Sequence, residues 1–198
     1  MRSVAAFILA GGRSSRMGAD KAFLELAGKP LLVRAANLAA EVVPDVKIVG
    51  DPRKFAAFGP VTEDLHRDCG PLGGIHAALA ISEAEWNLIL AVDLPFVPAR
   101  FLKYLLARAE LSGATVTVPS LGKYFQPLCA VYRKAFLWVA DRALSKGKNK
   151  IDPLFSEVSL CAISEEDMAA NGFEASIFRN LNTPEEWQAA IRDFASNS

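Results

Sequence analysis

Three glycines, two arginines and an Asp–Lys pair are packed into residues 9–21, which read LAGGRSSRMGADK and follow an apolar run. Glycine lets the backbone approach a ligand closely and turn N–H groups toward anionic oxygen. Arg13, Arg16 and Lys21 add fixed positive charge at the same place. The chemistry this suits is the binding of a nucleoside triphosphate. The spacing fits neither the Gly-Lys-Ser/Thr phosphate loop nor the GxGxxG dinucleotide loop. A solvated turn would account for Gly11-Gly12 alone; it accounts poorly for the whole string.

Asp93 is the second candidate, because it follows the apolar stretch Trp86–Val92 directly. An acid there can hold Mg2+, which prefers oxygen ligands and the oxygens of bound phosphates. The plainer alternative is a turn residue that satisfies backbone N–H groups before Pro95. Asp64, in EDLHRD, is either a loop acid or a site acid, and His66 beside it reads as a surface imidazole. Gly70-Pro-Leu-Gly-Gly either lets a base approach the backbone or simply starts a helix. The run Lys146–Lys150 is either a solvated loop or a phosphate clamp for a second substrate.

The elements around these residues alternate. Val4–Leu9, Val46–Val49, Pro60–Glu63 and Trp86–Val92 read as strands, the first buried on both faces as in a parallel sheet. Leu31–Val43, started by Pro30, and Leu72–Ile81 read as helices, and Pro98 opens another. Further on, Ala114–Pro119, Pro127–Tyr132 and Val158–Ile163 read as strands, with a helix over Lys134–Leu144. Thr183-Pro-Glu-Glu is a capping box that starts a last helix, with Trp187, Ile191 and Phe194 on one face. The pattern predicts one α/β domain over residues 1–198, a mostly parallel central sheet flanked by helices. In such sheets ligands bind at the carboxyl ends of the strands, where the glycines and acids fall.

With 198 residues the chain suffices for one sizeable core, and 52% hydrophobic residues exclude a disordered chain. The 22 basic and 22 acidic residues balance, which disfavours a general nucleic-acid or membrane-surface binder. Cys69, Cys129 and Cys161 are far apart with no CxxC pair. They read as reduced thiols of a cytoplasmic protein, with no cysteine zinc site. MRSVAAFILAGG mimics a weak secretory leader. Its run breaks at Gly11 and arginines follow, so it reads as a buried strand. No apolar stretch approaches the roughly 20 residues of a membrane span.

LAGG with RMGxDK, GPLGG after an acid, VDLPF after a strand and NLNTPEE near the C-terminus together resemble the molybdenum cofactor guanylyltransferases, in order along nearly the whole chain. The first motif alone resembles the wider nucleotidyltransferase superfamily. The NxNTPEE ending, and Gly11-Gly12 where cytidylyl-specific relatives typically have Ala-Gly, resemble the guanylyl branch. The resemblance implies a Rossmann-like nucleotidyltransferase fold and transfer of GMP from GTP to the terminal phosphate of molybdenum-molybdopterin, with pyrophosphate leaving. It implies that Leu9, Ala10, Gly11 and Gly12 contact the nucleotide, with Asp64 and Gly70 near the guanosine. Arg16 and Lys21 would hold the triphosphate and Asp93 would hold Mg2+. Asn180 and Asn182 match asparagines of the pterin side, though a loop or capping role suits them equally. Lys148 and Lys150 are the acceptor-side candidates. Residues 1–110 are then mainly the GTP-binding half and 111–198 mainly the acceptor half, with transient contact with molybdopterin-supplying or molybdoenzyme-maturation proteins possible.

Two positions depart from the family pattern. Many members have an Asn after the second strand, where this chain reads Val49-Gly50-Asp51. Many carry an arginine pair in the late basic loop, where this chain reads Gly147-Lys148-Asn149-Lys150. Lysine keeps the charge and loses the planar bidentate fork. The rival readings are a related enzyme using CTP or another phosphate acceptor, and a nucleotide-binding regulator without turnover. The presence of both Lys21 and Asp93 argues against the regulator.

Overall fold

The first strand, β1 (Val4–Leu9), is apolar throughout because helices cover both of its faces. The computed structural model describes residues 3–11, 20–64, 66, 69–179, 181 and 186–191. After β1 come the short hairpin strands β2 (Glu25–Leu26) and β3 (Lys29–Pro30), helix α1 (Leu31–Ala40), β4 (Val46–Val49), α2 (Pro52–Phe55), β5 (Val61–Thr62), α3 (Pro71–Ile81) and β6 (Trp86–Ala91). The second half holds α4 (Ala99–Ser112), β7 (Val116–Leu121), β8 (Tyr124–Phe125), β9 (Cys129–Arg133), α5 (Phe136–Ser145), β10 (Leu160–Ile163) and α6 (Glu165–Ala170). Residues 186–191 are helical as well.

The main sheet runs β10-β7-β9-β6-β1-β4-β5, with β8 paired to β7. β5, β4, β1 and β6 are mutually parallel, and so are β7 and β10. β9 runs against both of its neighbours. The sheet is therefore mixed and mostly parallel; β9 and the short β8 run antiparallel to their neighbours, which alternation alone does not reveal.

The period of two along β1 divides the core. Ala6 and Ile8 face the layer built from α1 and α4, with Leu31, Leu32, Phe101 and Leu102. Ala5, Phe7 and Leu9 face α3 and α5, with Leu72, Ile75, Phe136 and Ala140. Burying each large apolar side chain contributes about 1.5–3 kcal/mol, so β1 is fixed firmly and its carboxyl end is a rigid platform. Helix α1 starts at Pro30 as the sequence implies, and α3 starts with Pro71 behind Gly70. The late helix departs in one detail: Trp187 packs on the core and Ala190 is buried, while Ile191 is exposed. Thr183 and Phe194 lie outside the described residues. Cys69, Cys129 and Cys161 are free, and burial pushes the Cys129 thiol up to about 12, so it stays protonated. No helix among the described residues is long and apolar enough to cross a membrane.

Candidate active site

Sheet growth reverses at β1. The chain adds β4 and β5 on one side of it and then returns to place β6 on the other. A crevice forms outside the carboxyl ends of the strands at such a reversal. Gly11 leaves β1 there, and Asp93 lies two residues beyond β6. The two exits are tied together where Val92 N–H donates to the Leu9 carbonyl at 3.3 Å, and Ala10 N–H ties the β1 end to β4 through the Val49 carbonyl at 3.0 Å. Leu9 and Ala10 are buried, and Gly11 is the first exposed residue. Those two backbone bonds make Leu9 and Ala10 part of the rigid floor.

The loop from β1 returns to the same crevice. Lys21 Nζ donates to Asp93 Oδ2 at 3.0 Å, with side chains 20% and 25% exposed. The fold thus brings together two residues 72 apart that the sequence places at separate strand exits. The seat of Lys21 is built locally. It opens a single 3-10 turn, Lys21–Phe23, capped by Asp20, whose Oδ1 accepts from Ala22 N–H at 3.2 Å. The other Asp20 oxygen accepts from Lys54 Nζ at 2.9 Å, which ties the loop to α2. Phe23 leans on Phe55 with ring centroids 5.5 Å apart, and Phe55 is fully buried.

That seat explains the departure after β4. A Cβ on Gly50 would stand 2.7 Å from the Phe55 ring, so a larger residue there would displace the aromatic side chain under the Lys21 turn. Asp51 is the cap of α2: its Oδ1 accepts from Arg53 N–H at 2.9 Å, and its carboxylate pairs with the Arg53 guanidinium, which holds it below the usual carboxylate range. Asp20, Lys54, Phe23 and Phe55 are thus positioning residues that sequence reading missed. Asp51-Pro52 ahead of a basic pair was the available signal, an acid cap followed by proline at the first helical position.

Asp64 follows β5 and turns under the first turn of α3. Its Oδ1 accepts from His66 N–H at 2.8 Å. A Cβ on Gly73 would stand 2.7 Å and 2.9 Å from the two Asp64 oxygens. Burial raises the Asp64 pKa above its ordinary value and outweighs the lowering by the His66 N–H bond. Gly70 has φ +64° and ψ −157°, a conformation open to glycine alone. The two glycines therefore have distinct tasks: Gly70 turns the chain into α3, and Gly73 makes room for the carboxylate.

The late basic loop is reached from α5. Gly147, at φ +68°, closes that helix: its N–H donates to the Leu144 carbonyl and Lys148 N–H to that of Ala143, the paired pattern of a left-handed helix end. Lys148 and Lys150 are exposed, and no hydrogen bond or ion pair among the described residues joins them to Lys21 or Asp93. His66 differs from the surface imidazole expected. It is half-buried, with its ring against His76 at 4.6 Å. Gly12, Arg13, Arg16, Asn180 and Asn182 lie outside the described residues.

Residues 6–160 match the MobA-like NTP transferase domain. The chain belongs to the MobA-like NTP transferase family. It is 36% identical over 96% of its length to a probable molybdenum cofactor guanylyltransferase of Pelotomaculum thermopropionicum, covering 93% of that protein. It is 34% identical to the molybdenum cofactor guanylyltransferase of Desulfosudis oleivorans, with 96% of this chain and 95% of that protein aligned. Among solved structures it is similar to the molybdopterin-guanine dinucleotide biosynthesis protein A of Archaeoglobus fulgidus, with TM-score 0.83, 26% identity, and 97% and 99% of the two chains covered. The chain is a nucleotidyltransferase-family enzyme on these grounds.

In this MobA-like transferase the contact between Gly73 and Asp64 can be tested. Gly73→Ala gains about 1 kcal/mol of helix propensity. Forcing a methyl group into occupied space costs about 1–3 kcal/mol, and the cost dominates. The variant should be less stable by about 1 kcal/mol in urea unfolding, and it should bind nucleotide more weakly because Asp64 is displaced. Unchanged stability with unchanged binding would mean that the carboxylate moves aside freely.

Proposed function

We propose that the protein transfers GMP from GTP to the terminal phosphate of molybdenum-molybdopterin, forming the guanine dinucleotide and releasing pyrophosphate. The observation that carries this reading is the Lys21–Asp93 pair at the point where the parallel strands reverse, beside the exposed Gly11. It is supported by the guanylyltransferase names of relatives aligned over nearly the full length.

Asp93 fits a role as a Mg2+ ligand. It is a partly exposed carboxylate at a strand end, where the chain supplies a hard oxygen donor and no sulfur or imidazole contact to it is among the described interactions. Bound there, Mg2+ would supply charge neutralisation at the phosphate oxygens. Lys21 holds its charge at the mouth of the crevice. The Lys21–Asp93 pair is partly solvated and contributes on the order of 1 kcal/mol, so a polyphosphate oxygen can replace the Asp93 carboxylate as its partner at modest cost. The backbone at Gly11 faces the same space, and Asp64 lies on the β5 side of it, where the nucleoside would extend. An oxygen of the acceptor phosphate attacks the α-phosphorus, the bond to the bridging oxygen breaks, and pyrophosphate leaves with the electron pair. The attacking phosphate is already anionic, so no side chain is needed as a base, and positioning with charge stabilisation carries the step.

Competition among GTP, CTP, ATP and UTP for transfer to molybdenum-molybdopterin tests the base assignment. GTP should be used at least about tenfold better than each of the others, about 1.4 kcal/mol of discrimination. Equal use of CTP would remove guanine from the proposal while leaving the transfer chemistry.

A further inference from the structure

Two imidazoles and a carboxylate that no part of the transfer reaction uses meet behind the nucleotide crevice. His66 comes from the loop after β5, His76 from α3 and Asp141 from α5. One potential ligand atom from each lies within 4.8 Å of the other two. The His66 and His76 rings stand nearly perpendicular, at 86°. His76 Nε2 lies 3.4 Å from Asp141 Oδ1, beyond a good hydrogen bond. Its Nδ1 is buried with no hydrogen-bond partner. The His76 side chain is only 12% exposed, so its Nδ1 is left unpaired in a place where that costs stability.

We infer that His66, His76 and Asp141 form a binding site for a borderline divalent cation of the zinc class. Three atoms no more than 4.8 Å apart have a common point within about 2.8 Å of each (4.8/√3). Zinc bonds to imidazole and carboxylate run about 2.0–2.2 Å, so each ligand must close by about 0.8 Å at most. Asp141 is 58% exposed and can rotate to do so. Two nitrogens and one oxygen select zinc, cobalt or nickel over Mg2+, which favours oxygen alone. Three ligands leave a fourth position for water. The cation would fasten the loop to α3 and α5, and His66 N–H is the donor that Asp64 accepts, so the metal would steady the approach to Asp64 from behind. None of the three ligands takes part in the transfer chemistry itself.

The test is Zn2+ titration of the full chain by calorimetry in excess Mg2+, repeated with Co2+ to read coordination by visible absorption. One equivalent should bind with Kd below about 10 µM, or about −7 kcal/mol. His66→Gln, His76→Gln and Asp141→Asn should each weaken binding at least about tenfold, and Asp93→Asn should leave it unchanged. Asp141 is exposed on its helix, so its variant stays folded even where the His76 variant does not. Three results would overturn the site: no binding tighter than about 1 mM, binding that survives both His66→Gln and Asp141→Asn, or binding that depends on Asp93. Loss with Cys69→Ser but not with Asp141→Asn would assign the metal to the neighbouring thiol instead and equally overturn it.

Discussion

Asp93→Asn should lower kcat by about a thousandfold, ~4 kcal/mol of transition-state stabilisation, while the protein stays folded. The substitution keeps size and removes one charge. Asp93 and its ion-pair partner Lys21 are both partly exposed, so the fold loses about 1 kcal/mol. The catalytic loss is larger because charge would develop on phosphate oxygens in the transition state, where a missing ligand or donor removes stabilisation that the ground state does not use. Steady-state kinetics beside a thermal unfolding scan separates the two. A variant with near-parental kcat would show that Asp93 is a turn residue and that the metal is held elsewhere.

Lys21→Ala should lower kcat/KM for GTP by about 10²–10³, or ~2.7–4 kcal/mol. Its effect should fall unevenly on ligands. Affinity for GTP should drop far more than affinity for GMP, because in the proposed complex the ammonium would meet the β- and γ-phosphates that GMP lacks. Equal losses for both would put Lys21 beside the nucleoside or in a structural role. Lys54→Ala is the milder companion: it leaves Lys21 in place and removes only the strap from Asp20, so its loss should be smaller and should appear in KM together with kcat.

Much of the platform under these residues was legible in the sequence. Val4–Leu9 and Trp86–Ala91 are uninterrupted apolar runs because both faces of a central parallel strand are covered, and such runs leave little choice of reading. The prolines at the starts of α1 and α3 and the glycine before α3 marked their boundaries by backbone chemistry. The hairpin of β2 and β3 was not legible. Its turn is Ala27-Gly28, both at positive φ, and alanine in place of the usual asparagine hides the signal. The cap of α6 was also hidden, since Ser164 pairs with Asp167 where Glu or Gln is the usual reciprocal partner.

The candidate site was legible in part, for a physical reason. Strand ends announce themselves, so Gly11, Asp64 and Asp93 could be placed on one edge before any fold was known. Which of them touch depends on how loops return. The Lys21–Asp93 pair needed the Asp20 cap and the Phe23–Phe55 contact, and neither shows in a motif. Gly147 shows the opposite case. The basic run around it reads as either a solvated loop or a phosphate clamp, and the conformation of the glycine also ends a helix. His66, His76 and Asp141 sit 10 and 65 residues apart along the chain, a spacing that carries no local pattern.

The most direct measurement is transfer itself: purified protein, Mg2+, molybdenum-loaded molybdopterin and GTP labelled at the α-phosphorus. The label should appear in molybdopterin guanine dinucleotide, with one pyrophosphate released for each product formed. GTP bound in a Mg2+-dependent way with no labelled dinucleotide, or label recovered only as free GMP, would contradict the account.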